Sequence, residues 1–264
     1  MTLIEMVIVI AITAIIAGAV AVFISRPVEG YADAARRAEM TDIADTALRR
    51  MTRDLRTALS NSIRTTTVSG VLYLEYLQSS GGGRYRAQVD SGGLGDPLNF
   101  TATDASFDVI GTMPTFAGGE SIVIYNLAFS GTSANAYFGD NRALVNVGGT
   151  TATTIALTAA TQFPFPSPGK RFQVVQYAVT YACNPVTHEL RRYWGYGIVD
   201  PQPTPPATPN NVLLATNVAA CSFTYATSGV AQRTGVVSLS LQIQESGSAD
   251  SIWLFQQVHV TNVP

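Results

Sequence analysis

The sequence predicts an α+β fold: a long N-terminal α-helix, apolar in its first half, packed on a globular body rich in antiparallel β-strands. Three observations support this prediction. An uncharged apolar run extends from residue 6 to residue 24 of the 264-residue chain. Residues 26–60 keep apolar side chains at helical spacing, and from residue 65 the pattern changes to short strands between Gly-, Ser- and Asn-rich turns. The chain therefore divides into residues 1–25, 26–60 and 65–264.

The first segment has the length of a membrane span. As a helix, residues 6–24 reach about 28 Å, close to the hydrocarbon thickness of a bilayer. Apolar residues cover every face, which is untypical of a helix on the surface of a soluble domain. A secretory signal peptide is disfavoured, because no basic residue precedes the run and no small-residue cleavage site follows it. The side chains expected to form the transmembrane or core part of this helix include Met6, Ile10, Ile15, Gly18 and Phe23.

Glu5 is a carboxylate at the very edge of the apolar run. An ionisable group beside lipid needs a partner. The α-amino group of Met1 is a cation near neutral pH, and burying it without a counter-charge costs several kcal/mol. Two interpretations stay open: Glu5 rests at the headgroup level beside its own N terminus, or it pairs with the N terminus of a neighbouring chain and selects the register of assembly.

The start of the chain, Thr2-Leu3-Ile4-Glu5 followed by an uncharged apolar helix, resembles the mature N terminus of type IV pilins and type II secretion pseudopilins. In that family a prepilin peptidase removes a short basic leader and methylates the new N terminus, which the resemblance places at Met1. The resemblance also implies that Glu5, at the fifth mature position, acts in assembly. Met1 departs from the pattern, because the family nearly always has Phe there. Either Met1 is the mature first residue, or a start methionine stands in place of that Phe.

The second segment, residues 26–60, is predicted as an amphipathic continuation of the helix. Arg26-Pro27 predicts a kink, because Pro lacks an amide donor and crowds the preceding turn. Arg and Asp residues at helical spacing predict local ion pairs on a solvated face. An apolar stripe is expected to lie against a β-sheet and consists of Leu48, Met51, Leu55 and Leu59.

The body is predicted to be almost entirely β. Residues 71–77 form a predicted strand, residues 79–83 a flexible glycine turn, and residues 85–89 the returning strand. Residues 200–209 contain five prolines and are expected to form an exposed, polyproline-like connector. Further strands are predicted at 107–110, 121–126, 143–147, 153–157, 171–183, 190–196, 212–215, 221–226, 236–245 and 253–260.

Cys183 and Cys221 are the two cysteines of the chain. In an exported body their favoured state is a disulfide. A bond between them would close the loop from residue 183 to residue 221. The lower entropy of the unfolded chain would then stabilise the folded state by on the order of 4 kcal/mol. The bond would also hold the base of the proline-rich segment.

Enzymatic function has little support in the sequence. No Walker loop, dinucleotide fingerprint, nucleophile elbow or metalloprotease motif occurs. His188, in a predicted hairpin turn, and His259, in the last strand, are interpreted as structural or exposed. A net charge of −2 means that the chain has no excess of basic residues with which to bind nucleic acid. No cofactor is expected; calcium at Asp140-Asn141, or at Asp104 with Asp108, stays open, although the spacing matches no defined calcium loop.

Two further stretches of the body are similar to the MshO-type minor pilins of the mannose-sensitive haemagglutinin pilus: residues 122–127 leading into 134–143, and residues 257–264. The size and the helix-plus-sheet layout also resemble J-type pseudopilins. The resemblance implies a structural subunit, a minor pilin that acts in initiation or at the tip. It would wait in the bacterial inner membrane with its body in the periplasm and then enter a cell-surface filament.

The partners that the resemblance implies are other pilin subunits, bound through the N-terminal helix, an inner-membrane assembly platform and the prepilin peptidase. Two alternatives stay open. A pseudopilin of a type II secretion system would use the same fold in a short periplasmic piston. A membrane-anchored adhesin or binding module would use the helix as an anchor alone.

Overall fold

The structure, a computed structural model, describes residues 2–227, 234–245, 247 and 250–262, without the side chains of residues 21, 22, 24–29, 227 and 234. One α-helix, one short 3₁₀-helix at Val147–Gly149 and twelve strands make up the regular structure of this part of the chain. Their bounds are α1 Leu3–Leu55, β1 Arg64–Val68, β2 Val71–Tyr85, β3 Asp104–Ile110, β4 Ser121–Ile124, β5 Arg142–Leu144, β6 Thr154–Thr161, β7 Arg171–Asn184, β8 Glu189–Tyr196, β9 Asn211–Ala215, β10 Val218–Thr227, β11 Thr234–Gln244 and β12 Ser251–Thr261. The predicted α+β class is confirmed.

The helix is continuous from Leu3 to Leu55, including residues 26 and 27. The prediction that it extends to residue 60 is wrong. After Leu55 the backbone turns and joins the sheet: the Leu59 N–H donates to the Leu77 carbonyl at 2.8 Å, and the Ser79 N–H donates to the Thr57 carbonyl at 2.9 Å. Leu59 is buried as predicted, but it lies on this connection and not on the helical stripe.

The strands form two antiparallel sheets. In the larger sheet the order is β5-β4-β7-β2-β3-β6, with β1 beside β2 and with β8 and β9 continuing from β7. The smaller sheet has the order β10-β11-β12. Apolar side chains from α1, β2, β7, β8 and all three strands of the smaller sheet meet in one core cluster, so the second half of the helix shares its core with both sheets.

The glycine run does not form the predicted turn. Residues 71–85 are one strand, in which Gly82 pairs with Gln173 and Gly83 with Phe172 of β7. A Cβ added to Gly82 would lie 2.5 Å from the Phe172 carbonyl oxygen, so the close approach of the two strands requires glycine there. The predicted returning strand at 85–89 is therefore absent, because β2 ends at Tyr85 and its long partner is β7.

Sequence reasoning missed β1, although a turn signal marks its end. β1 and β2 form a hairpin through Ser69 and Gly70, both of which have positive φ. A Ser-Gly pair after a run of β-branched residues is a hairpin signal. The other predicted strands each overlap an observed strand, with ends shifted by a few residues.

Candidate functional site: the N-terminal helix and its anchorage

The first third of α1 projects from the body as a bare apolar rod. The segment Leu3–Val20 has a mean hydropathy of 2.7, and no part of it is buried against the rest of the described chain. Met6, Ile10 and Ile15 are 55%, 63% and 72% exposed, and Phe23 is 83% exposed. By length and composition this segment can cross a membrane, and among the described residues it is the one helix that can.

Glu5 caps the helix that it begins. The Thr2 N–H donates to Glu5 Oε2 at 2.8 Å, and the Glu5 N–H donates to Thr2 Oγ1 at 3.4 Å. This reciprocal arrangement is a capping box, which satisfies two backbone donors of the first turn. The prediction about Glu5 did not include this role, although Thr-x-x-Glu before an apolar run is its sequence signal. Met1 lies outside the described residues, so its expected pairing with Glu5 stays a prediction.

Two further residues of the rod, Thr13 and Gly18, are compatible with an apolar environment. The Thr13 hydroxyl donates to the Val9 carbonyl at 2.8 Å, so it needs no partner outside the helix. Gly18 has open space where a side chain would stand. Small residues of this kind let a second helix approach closely in a membrane.

The second half of α1 is held by apolar packing. Leu48, Met51 and Leu55 are at most 1% exposed and pack against both sheets, as the predicted stripe requires. Met40, Ala44 and Ala47 extend this buried face toward the rod. Burial of one such side chain contributes roughly 1.5–3 kcal/mol, so this half of the helix is a fixed part of the body.

A buried ion pair fixes the end of the helix to the larger sheet. Arg192 Nε donates to Asp54 Oδ2 at 2.8 Å, and the Tyr181 hydroxyl donates to the same oxygen at 2.8 Å. Arg50, one helical turn away, lies 3.3 Å from Asp54. Burial, then Tyr76 and Asp54, raise the pKa of Tyr181 well above its usual range, so its hydroxyl stays a donor. Arg192 is 138 positions from Asp54, and no sequence signal indicates this contact.

At the other end of the buried half, exposed pairs tie the helix to the smaller sheet. Arg36 lies 3.4 Å from Glu245, and Arg37 lies 3.2 Å from Asp250, at the turn between β11 and β12. Asp33 also pairs with Arg36, and Asp45 with Arg49, which confirms the predicted local pairing along the helix. Each exposed pair contributes little to stability, but together they mark where the helix leaves the body.

The predicted disulfide between Cys183 and Cys221 is confirmed. It joins β7 of the larger sheet to β10 of the smaller sheet, a connection that the sequence did not indicate. The bond therefore holds together the two sheets whose apolar side chains share a core with the buried half of the helix.

The proline-rich segment forms no strand, as predicted, but it is tied to the sheet and is not a free connector. Arg64 donates to Asp200 at 3.0 Å, to the Val199 carbonyl at 2.7 Å and to Glu75 at 2.7 Å. Burial raises the pKa of Glu75, and the adjacent Arg64 opposes that rise. This network was missed because the hairpin that places Arg64 opposite Glu75 was missed.

The carboxylates considered as calcium ligands already accept hydrogen bonds or form ion pairs within the chain. Asp140 accepts the N–H groups of Ala134 and Asn135 at 2.6 and 2.9 Å. Asp108 accepts Thr154 and pairs with Arg86. Within the described residues, no three His, Cys, Asp or Glu side chains are grouped closely enough to hold a metal ion.

The two histidines lie where the sequence placed them. His188 ends the turn between β7 and β8, and its ring is 3.1 Å from the Val218 carbonyl. His259 is exposed on β12.

Comparisons of the chain with protein-family models, with curated proteins and with solved structures each return no match. The functional interpretation therefore rests on the exposed rod, its anchorage and the sequence pattern at the N terminus.

Proposed function

We propose that this protein is a structural subunit of a type IV pilus of the mannose-sensitive haemagglutinin kind, and that it acts as a minor pilin. In this proposal the apolar rod spans the inner membrane while the body stays in the periplasm. During assembly the rod leaves the lipid and enters a bundle of equivalent helices. Glu5 pairs there with the N terminus of a neighbouring subunit and selects the register.

The observation that carries the proposal is the division of one continuous helix. Residues 3–20 have no burial against their own body, whereas Leu48, Met51 and Leu55 are enclosed by two sheets. A helix divided in this way transmits a pull on the rod directly to the body. The hydrophobic contribution to the free energy changes little when the rod leaves lipid for a bundle of apolar helices. Helix packing and the Glu5 carboxylate therefore decide the register of the rod in the filament.

The test compares three variants in the cells that make the protein. Glu5→Ala removes both the charge and the cap. Glu5→Gln removes the charge but keeps an acceptor for the Thr2 N–H, because Gln also completes a capping box. Glu39→Ala removes an equal charge from an exposed position of the same helix and is the control.

We expect Glu5→Ala and Glu5→Gln to reach the membrane at normal levels but to be absent from purified surface filaments. Glu39→Ala should be incorporated as the unmodified protein is. If Glu5→Gln enters filaments normally, the carboxylate charge does not select the register. If no variant changes filament number or composition, the subunit assignment is wrong.

The two alternatives predict different results in the same experiment. A secretion pseudopilin would be missing from surface filaments, and Glu5→Gln would block export of secreted proteins. A membrane-anchored binding module would keep its location and activity in all three variants.

A further inference from the structure

An open groove lies on the outer face of the larger sheet where β2 runs beside β7. Its volume is about 420 Å³, and its lining includes Ser79, Gln173, Arg84 and Arg171. The floor is the backbone of residues 81–83, and Gly82 cannot carry a side chain because of the Phe172 carbonyl. The groove is thus formed by the paired strands themselves.

Two arginines face each other across this groove. Arg84 and Arg171 are direct partners in the antiparallel register, so their side chains leave the same face of the sheet. Their Cβ atoms are then about 5 Å apart, and like charges at such a pair destabilise a sheet. Lys170 precedes Arg171 and adds a third positive charge to this edge.

Four other arginines of the described body, including Arg64, are paired with a carboxylate, whereas Arg142 donates to the Ile198 carbonyl. Arg86, Arg191 and Arg192 each contact a carboxylate at 3.2 Å or less. For Arg84 and Arg171, in contrast, no ion pair and no side-chain hydrogen bond occurs within the described residues. The acid on the neighbouring strand, Asp108, is already bound by Arg86 and Thr154. The repulsion between the two guanidinium groups therefore has no compensation inside this part of the chain.

We propose that the groove binds a phosphate monoester group between Arg84 and Arg171. Each guanidinium offers a planar fork of N–H donors that matches phosphate oxygens, and two forks require several acceptor oxygens on one group. A phosphate monoester carries about −1.5 to −2 charges at pH 7, which balances two guanidinium groups, whereas one carboxylate balances only one. Gln173 and Ser79 supply further polar contacts for the atoms that bear the phosphate.

The position of the groove separates it from the apolar rod. Thr57, just past the end of α1, contacts Gln78 and Ser79, and β2 then continues to Tyr85, about 20 Å further on. Tyr85 belongs to a core cluster that contains no residue of α1. The site thus lies at the end of the body away from the rod, which holds whether or not the chain assembles into a filament.

The test uses the full chain in an uncharged, phosphate-free detergent at constant ionic strength. Inorganic phosphate, glycerol 3-phosphate and dihexanoyl phosphatidic acid are titrated in separate calorimetric experiments, because salt screens such contacts. The variant is Arg84→Ala combined with Arg171→Ala. Arg49→Ala is the control, since Arg49 lies on the helix outside the groove and its side chain is 73% exposed.

We expect saturable binding that is at least tenfold weaker in the double variant and unchanged in Arg49→Ala. Equal affinity for glycerol 3-phosphate and the phosphatidic acid would assign a free phosphate compound as the ligand. Clearly tighter binding of the phosphatidic acid would assign a lipid headgroup. Absence of saturable binding for all three probes, or undiminished binding in the double variant, would overturn the proposal.

A second measurement guards against misfolding of the double variant. Arg84→Gln keeps a polar side chain and removes the like-charge contact. In phosphate-free buffer its Tm should equal or exceed that of the unmodified protein, whereas the Tm increase caused by added phosphate should disappear. A lower Tm without phosphate, together with an unchanged phosphate response, would contradict the proposed role of the arginine pair.

Discussion

Asp54, in the last turn of the helix, and Arg192, in the eighth strand, lie 2.8 Å apart and are each about nine-tenths buried. The carboxylate also accepts the Tyr181 hydroxyl, so one side chain connects the helix to two strands. This contact is one of those that join the helix to the larger sheet.

Loss of Asp54 should therefore destabilise the whole body. In Asp54→Ala the Arg192 guanidinium stays buried without its carboxylate, which costs about 3–5 kcal/mol when a buried pair is broken from one side. Urea unfolding of the full chain in detergent, followed by tryptophan fluorescence, to which Trp194 beside Arg192 contributes, measures this loss. Asp45→Ala, which removes the partner of the exposed Arg49, should cost no more than about 1 kcal/mol. Equal losses in the two variants would contradict the role given to Asp54.

The glycine run offers a matched pair of substitutions. A Cβ at Gly82 would meet the Phe172 carbonyl oxygen at 2.5 Å, whereas a Cβ at Gly81 would meet nothing within 4 Å. Gly82→Ala should thus lower the free energy of unfolding by about 1–3 kcal/mol, the usual range for overpacking, and Gly81→Ala should be close to neutral. The denaturation midpoints of the two variants measure this difference in stability. If the two substitutions changed stability equally, the result would favour a flexible turn at residues 79–83 over the paired strand.

Asp108 predicts a loss of stability in acid. The Asp96 N–H and the Thr154 hydroxyl hold the pKa of Asp108 below its ordinary value of 3.8. A carboxyl with a lower pKa in the folded state stabilises above its ordinary pKa, and that stabilisation is lost as the pH falls through the folded pKa. Asp108→Asn should be about 1–2 kcal/mol less stable at pH 7, and the difference should shrink toward pH 2. A difference that is constant between pH 7 and pH 2 would show that the charge of Asp108 plays no part.

Gly18 tests close helix packing in the assembled state. A Cβ added to Gly18 would meet nothing within 4 Å apart from the adjoining backbone of its own helix, so Gly18→Leu should leave membrane insertion and the fold of the body unchanged. In a bundle of neighbouring helices the larger side chain would prevent close approach. The amount of the variant in purified filaments, relative to the membrane fraction, should fall at least severalfold. Ile15→Leu, which conserves volume on the same rod, is the control; equal incorporation of both variants would contradict packing at Gly18.

Several features of the fold could be predicted from the sequence because they depend only on residues that are close together in the chain. Leu48, Met51 and Leu55 share one helical face, and they are buried as that spacing predicts. Alternating strands such as β11 and β12 were found to within a few residues. The cysteines pair as expected, because they are the two present in the chain.

Other features failed because their cause is a distant part of the chain. The glycine run looks like a turn until Phe172 is known to lie against it. The helix ends five residues early because Leu59 finds a backbone partner in Leu77. The contact of Arg192 with Asp54 and the opposition of Arg84 to Arg171 follow from strand register, which single-sequence patterns do not specify.

By itself, the sequence determined a membrane-length apolar helix that begins beside a carboxylate, Glu5, and continues into a β-rich body, because composition and periodicity are local properties. The tertiary structure alone decided that the buried stripe of that helix shares its core with both sheets, that the disulfide joins two different sheets, and that two arginines share one groove. The physical reason is that burial, ion pairing and like-charge contact depend on which strands become neighbours. That choice is made by packing of residues far apart in the chain.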